Sequence, residues 1–333
     1  MDDAIAMATA GDGPPARGGV VCVTGGSGFI GSWLVRYLLD RGYTVHATVK
    51  NIQDEGETMH LHALDGAGTR LQLFQINLLD LPSIRAAIEG AQGVFHLASP
   101  LIVQTQDPET ELLEPAVKGT LNVLRAAKDS GVRRVVLVSS KAAMVPNPNW
   151  PADKVLDEDS WADVELLKKL EHWYGVSKTL AEKAAWDFAA EEGLQLVVLN
   201  PGLALGPFLT PFVNASLNWF LQLLSGKRLD MDMYMGYVDV RDVATSLIML
   251  YETPSAQGRH LCMESIERMV DFTDKVVDLY PEFSVPRIME DKQSWIVRAK
   301  VASKKLISLG ILFTPFEQTI NDTVECFKSK RLI

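Results

Sequence analysis

Thr24-Gly25-Gly26-Ser27-Gly28-Phe29-Ile30-Gly31 decides how the rest of the chain is read. The apolar run Val20-Val21-Cys22-Val23 precedes it, and the helical pattern Trp33-Leu34-Val35-Arg36-Tyr37-Leu38-Leu39 follows. Strand, glycine turn and helix in that order are the context a dinucleotide-binding fingerprint requires. Gly25 lets the chain turn sharply out of the strand. Gly28 leaves a pyrophosphate room to approach the backbone, and Gly31 lets the helix lie close to the sheet. The free N–H groups at the helix start, around Phe29 and Ile30, favour an anion together with the helix dipole. A glycine turn alone also serves plain strand–helix packing, so the weight lies on the flanking elements.

From Val20 onward strand-like and helical patterns alternate, which implies a parallel sheet covered on both faces. Further strands are expected at 44–49, 71–76, 94–98, 135–138 and 194–199. An amphipathic helix is expected at 111–130 and a long one at 173–192. Past Asn200-Pro201-Gly202 the alternation decays, leaving helical patterns at 212–224 and 242–251 and shorter ones from Met269. Residues 1–19, rich in Ala, Gly, Pro and Asp, read as a mobile leader. The chain then divides into a dinucleotide-binding domain at 20–202, with parts of 236–265 returning to it, and a mainly substrate-binding lobe at 203–333.

Ligands of open parallel sheets collect at the carboxyl ends of the strands. After the second strand an NAD site would place an acid, but none occurs before Asp54; Lys50 stands there instead and suits the 2′-phosphate of NADP(H). Asn77 and Leu78 are candidates to flank the adenine. Ala98 and Ser99 after the fourth strand, with Pro201 and Gly202 after the sixth, complete the expected cofactor surface.

Tyr174 and Lys178 carry the chemistry. Residues four apart share a helix face, and an ammonium beside a phenol lowers its ordinary pKa of about 10. Ser140, after the fifth strand, can hold a substrate oxygen. The glycine turn, the strand-end serine and the Tyr/Lys pair together point to a dehydrogenase or reductase.

Composition closes off other classes. A chain of 333 residues with 47% hydrophobic and 22% charged residues fits a soluble globular protein. A net charge of −10 opposes nucleic acid and anionic membrane as partners. No apolar run approaches the roughly 20 residues of a membrane helix, and Met1-Asp2-Asp3 lacks a signal peptide's basic start. Cys22, Cys262 and Cys326 are far apart, which suits a reducing, cytoplasmic location. No metal is expected: the histidines are scattered, and His60 and His62 stand too close on a helix to share one. His96, inside an apolar strand, reads as a core histidine. Monomer and dimer are both open.

The order T-G-x-x-G-x-x-G, strand-end serine and Y-x-x-x-K resembles the extended short-chain dehydrogenase/reductases. More narrowly, residues 23–50, His96-Leu97-Ala98-Ser99-Pro100, residues 173–182 and Asn200-Pro201-Gly202 resemble the plant cinnamoyl-CoA reductase and dihydroflavonol reductase group. The resemblance implies a Rossmann-type, doubly wound α/β sheet with a smaller, irregular C-terminal substrate lobe. It also implies NADP(H), a small aromatic carbonyl substrate, and Ser140, Tyr174 and Lys178 as the catalytic residues. The chain departs from the group at His172, Gly175, Val176 and Ser177, where cinnamoyl-CoA reductases usually read N-W-Y-C-Y-G-K. Those enzymes tend to carry a histidine and, three residues on, a lysine for the CoA phosphate; Trp219 and Gln222 stand in the matching places, leaving Arg259 as a candidate cation. Trp219, Phe220 and Tyr234 are candidates to line an aromatic pocket. A non-catalytic NADP-binding regulator on the same fold is the alternative from another class.

Overall fold

The computed structural model describes residues 18–100, 106–227, 235–287, 297, 299 and 302–333. Apart from Gly18 and Gly19, the expected leader lies outside them, as does Tyr234.

The first half repeats one unit. Strand β1 (Val20–Thr24) leads through the glycine turn into α1 (Phe29–Asp40), and β2 (Thr44–Val49) follows. Helices α2 (Glu55–His62) and α3 (Ala67–Arg70) precede β3 (Leu71–Gln75). Then come α4 (Leu81–Ile88), β4 (Gly93–His96), α5 (Glu114–Asp129) and β5 (Arg134–Val138). After a connection containing α6 (Val164–Lys169), the long α7 (Trp173–Glu192) leads to β6 (Gln195–Pro201). The remainder holds β7 (Leu203–Leu205), α8 (Ala215–Leu224), β8 (Met235–Asp239), α9 (Val240–Glu252), β9 (Gly258–Cys262) and β10 (Ser265–Glu267). Helices α10 (Met269–Leu279), α11 (Lys304–Ser308) and α12 (Phe316–Ser329) complete it.

The main sheet has seven parallel strands in the order β3-β2-β1-β4-β5-β6-β9. Helices bury both faces, so its inner strands read as continuous apolar runs; every residue of β5 is buried. The order reverses between β1 and β4, which opens a crevice at their carboxyl ends. A second sheet, β10-β8-β7, stands beyond the end of β6. One apolar cluster runs from β1 and α1 through α9 into the rings of Tyr237, Phe272, Phe316 and Phe327.

Two boundaries differ from expectation for local reasons. The helix expected from residue 111 begins as a π-turn at Glu109–Leu113 and becomes α-helical at Glu114. Pro115 has no N–H to offer the preceding turn, which suits the first positions of a helix and not its middle. Strand β4 stops at His96 because the N–H groups of Leu97 and Ala98 turn to the Thr24 hydroxyl, each at 3.1 Å.

Candidate active site

The crevice is built first from backbone. Gly25 sits at φ +71°, and a Cβ there would come within 3.1 Å of the Ala98 nitrogen. At Gly31 a Cβ would stand 2.1 Å from the Gly25 carbonyl oxygen, so no side chain fits where α1 crosses the turn. The turn is pinned to β2 by Gly25 N–H to Thr48 Oγ1 and Gly26 N–H to Thr48 O, both 3.0 Å. Gly28 caps α1 with no side chain over its first N–H groups, and no acid lies in the first turn. Thr24 Oγ1 already accepts two N–H groups, so its proton goes to His96 Nδ1 at 2.8 Å. His96 then carries its own proton on Nε2, toward Thr120 Oγ1 at 3.4 Å. Burial, then Lys178, holds its pKa down to about 3, so it is a neutral core histidine.

These features fit a dinucleotide. Gly25, Gly28, Phe29, Ile30 and Gly31 form an open cradle that a Cβ at Gly28 would begin to fill, 3.3 Å from the Gly25 oxygen. Lys50 lies exposed just past β2, while its N–H and that of Asn51 donate to Glu57 at 2.7 and 3.2 Å. Asn77 is exposed and accepts from the Leu79 N–H at 2.9 Å, and Leu78 packs against Gly119. Ala98 and Ser99 follow β4, and Pro201 and Gly202 lie at the end of β6.

Ser140, Tyr174 and Lys178 come together at the end of β5. The Tyr174 and Ser140 side chains share a hydrogen bond, and Ser140 Oγ accepts from the Ala142 N–H at 3.1 Å. Lys178 Nζ reaches the Val138 oxygen at 3.4 Å and lies 5.9 Å from the centre of the Tyr174 ring. Burial pushes the Lys178 ammonium down to about 8, against the opposing charge of Glu182. Burial also raises Tyr174, and the Ser140 bond only partly offsets this. The expectation that Tyr174 would fall below the ordinary phenol is therefore corrected: withdrawing the phenolate from water outweighs its neighbours.

Sequence reading missed the anchor beneath this group. Glu182 is buried and accepts from Ser139 Oγ at 2.5 Å, Asn200 Nδ2 at 2.9 Å and Arg259 Nε at 2.6 Å. Arg259, expected as a cation for a substrate phosphate, is corrected to an internal residue. It lies on β9, buried, ion-paired to Glu182 and stacked 3.9 Å over Trp161. Its remaining N–H groups go to the carbonyls of Ala143, Glu158 and Ser160. The sequence signal was Glu182 itself, four residues beyond Lys178 on one helix face, but its partner is 77 positions away.

The profile of the NAD dependent epimerase/dehydratase family matches residues 21–262. The chain belongs to that family. Within it, the cinnamoyl-CoA reductase CAD2 of Medicago truncatula is 44% identical over 317 residues, which are 94% of this chain and 97% of the relative. Among solved structures, vestitone reductase from alfalfa superposes with a TM-score of 0.80 at 34% identity, covering 95% of this chain and all of that one. The yeast methylglyoxal/isovaleraldehyde reductase Gre2, complexed with NADPH, gives 0.81 at 26% identity over 94% of this chain and all of that one. This chain is accordingly an NADP(H)-dependent oxidoreductase of the cinnamoyl-CoA reductase-like group.

The candidate substrate residues lie in the C-terminal third, on and after α8. Trp219 packs on Phe272 with ring centres 5.8 Å apart, and its indole N–H has no partner among the described residues. Gln222 Oε1 accepts from Lys227 Nζ at 3.0 Å. Phe220 is fully buried and packs in the main apolar cluster. Among the described residues no group of three or more His, Cys, Asp or Glu could hold a metal ion.

Proposed function

We propose that the protein reduces phenylpropanoid-type aldehydes or ketones with NADPH and uses CoA thioesters weakly. The observation that carries this is the hydrogen-bonded Ser140–Tyr174 pair, with Lys178 one helical turn along, beside the glycine cradle. NADPH, when bound, supplies the hydride that adds to the carbonyl carbon. Ser140 holds the carbonyl oxygen. Tyr174, kept neutral by burial, gives it the phenolic proton, and the Lys178 ammonium stabilises the phenolate left behind. Gly25, Gly28, Phe29, Ile30 and Gly31 hold the pyrophosphate and Lys50 the 2′-phosphate. Asn77, Leu78, Ala98, Ser99, Pro201 and Gly202 flank the rest of the cofactor. An aldehyde or ketone leaves as an alcohol; a thioester would pass through a hemithioacetal whose collapse releases an aldehyde.

Residues 20–202, with parts of 236–265, serve as the cofactor domain, and 203–333 mainly as the substrate lobe. No described helix is long and apolar enough to cross a membrane, and Cys22, Cys262 and Cys326 are free thiols; both suit the cytoplasm.

The weak use of thioesters follows from charge. A phosphorylated CoA tail needs cations, yet Trp219 and Gln222 are neutral and Arg259 is spent on Glu182. Lys227 favours the second reading, a true cinnamoyl-CoA reductase, because its ammonium stands beside Gln222 and could meet that tail. Steady-state kinetics with NADPH, feruloyl-CoA and coniferaldehyde decides between them. The aldehyde should give the higher kcat/KM, and Trp219→His with Gln222→Lys should lower KM for the thioester more than for the aldehyde. A clear preference of the unaltered enzyme for the thioester sinks the first reading. Absence of turnover across an aldehyde panel and thioesters favours a non-catalytic NADP-binding regulator.

A further inference from the structure

Tyr174, Lys178 and Glu182 follow one another at intervals of four along α7 and so share one face of the helix. We propose that Glu182 is a positioning residue for this site: its buried carboxylate ties the carboxyl end of β5 to α7 and faces Lys178 from one turn away. The inference rests on the reading that Ser140, Tyr174 and Lys178 do the chemistry.

The ties converge on one peptide. Ser139 Oγ donates to Glu182, while the Ser139 N–H donates to the Leu199 oxygen at 2.9 Å. Asn200 Nδ2 donates both to Glu182 and to the Ser140 carbonyl oxygen, at 2.9 and 3.3 Å. Trp186 Nε1 adds a weaker contact to Glu182 at 3.4 Å. The carboxylate thus grips Ser139 directly and Ser140 through Asn200. Its bond to Arg259 extends the hold to the 143–160 connection, through the carbonyls of Ala143, Glu158 and Ser160. Displacing Ser140 by about 1 Å would cost its hydrogen bond to Tyr174 and, with it, on the order of a hundredfold in rate.

Packing alone does not call for a charge here. A buried ion pair often contributes no more stability than apolar residues of the same volume. An electrostatic task explains it better: besides its ion-pair partner Arg259, Glu182 has the Lys178 ammonium one turn back on α7, whose charge it favours. The groups around Lys178 are Tyr174 and Glu182 on α7, the Val138 carbonyl on β5 and neutral His96 on β4. Burial strips the ammonium of charge toward pH 8, and Glu182 works against that loss.

The test uses the full-length protein and three variants: Glu182→Gln, Glu182→Asp, and Glu182→Gln with Arg259→Met, which leaves no unpaired arginine. Amine labelling of Lys178 across pH, read by peptide mass spectrometry without cofactor, reports its titration midpoint. Glu182→Gln should lower that midpoint by about one unit, and Glu182→Asp should restore most of it. In aldehyde reduction at pH 7, kcat should fall by about tenfold to a hundredfold. The aldehyde KM and the NADPH Kd from nicotinamide fluorescence should stay within about threefold, and the alkaline limb of the rate profile should move with the midpoint. If Glu182→Gln does not fold, the double variant is read the same way. A folded variant with an unshifted Lys178 midpoint overturns the proposal, whatever its rate, because a purely structural role would not move that midpoint. Failure of both to fold overturns it too, by making Glu182 a folding determinant. If the unaltered protein reduces no carbonyl, the functional reading fails, while the labelling midpoint still reports on the Glu182–Lys178 link.

Discussion

Tyr174 shows how far one residue's chemistry can be read before its surroundings are known. The spacing to Lys178 was visible, but the cost of withdrawing the phenolate from water was not, because it depends on how β5 and α7 close over the ring. The result is a phenol raised by burial beside an ammonium lowered to about 8. At neutral pH the Tyr174 phenol therefore keeps its proton, and the cations of the site that titrate nearest are Lys178 and Lys141, each lowered by burial to about 8. Reduction should be fastest below pH 8 and fall as pH rises through it, since deprotonated Lys178 no longer stabilises the phenolate. Tyr174→Phe, which removes a proton and little volume, should keep NADPH binding and lose about 10²- to 10⁴-fold in kcat. A near-normal kcat in that variant, measured on its best aldehyde, would remove Tyr174 from the mechanism. The two adjacent serines make the same point: one donates to Glu182 and the other bonds to Tyr174.

Elements with a strong local code were legible. The glycine turn, β1 and α1 declare themselves within about twenty residues, and α7 runs over the expected 173–192. Strands β7 and β10 of the second sheet were not legible, because at three residues each they are too short to show a period of two. The end of α6 was hidden for another reason. Helix α6 ends in a Schellman motif, with His172 N–H bonding to the Leu167 oxygen and Glu171 N–H to the Lys168 oxygen, at 2.9 and 3.0 Å. That motif needs a left-handed residue at position 171, where glycine is the usual choice, and this chain has Glu171 at φ +55°. Nothing in the local sequence announces a left-handed glutamate. Glu171→Gly should relieve the strain and stabilise the protein by about 0.5–1 kcal/mol, less the greater freedom glycine gives the unfolded chain. A denaturant midpoint that rises at constant slope would bear this out, and a fall would show that the Glu171 side chain contributes more than its backbone costs.

At the scale of the molecule, the C-terminal third is held to the sheet by charges as well as by rings. Arg241 at the start of α9 bonds to Asp239 at 2.6 Å and to Asp322 on α12 at 2.5 Å. The next residue, buried Asp242, accepts from the Thr314 N–H at 2.6 Å and the Thr314 hydroxyl at 3.0 Å, just before α12. Burial lifts the Asp242 carboxyl to about 6, although the Thr314 bonds pull the other way. In the unfolded chain the same group titrates near 3.9. The folded state therefore binds its proton more tightly than the unfolded state does. The contribution of this site to stability is fully present below about pH 4 and is lost as pH rises through 6. Two units of difference correspond to roughly 3 kcal/mol across that window. Asp242→Asn keeps an acceptor for the Thr314 N–H and can still meet its hydroxyl, but it has no charge to desolvate. The variant should be more stable than the parent at pH 7.5, and its advantage should shrink steadily as pH falls from 7 to 4. Urea unfolding of both proteins across that range measures the gap, and a gap that does not vary with pH would mean that the carboxylate at Thr314 is comfortably solvated in the folded protein.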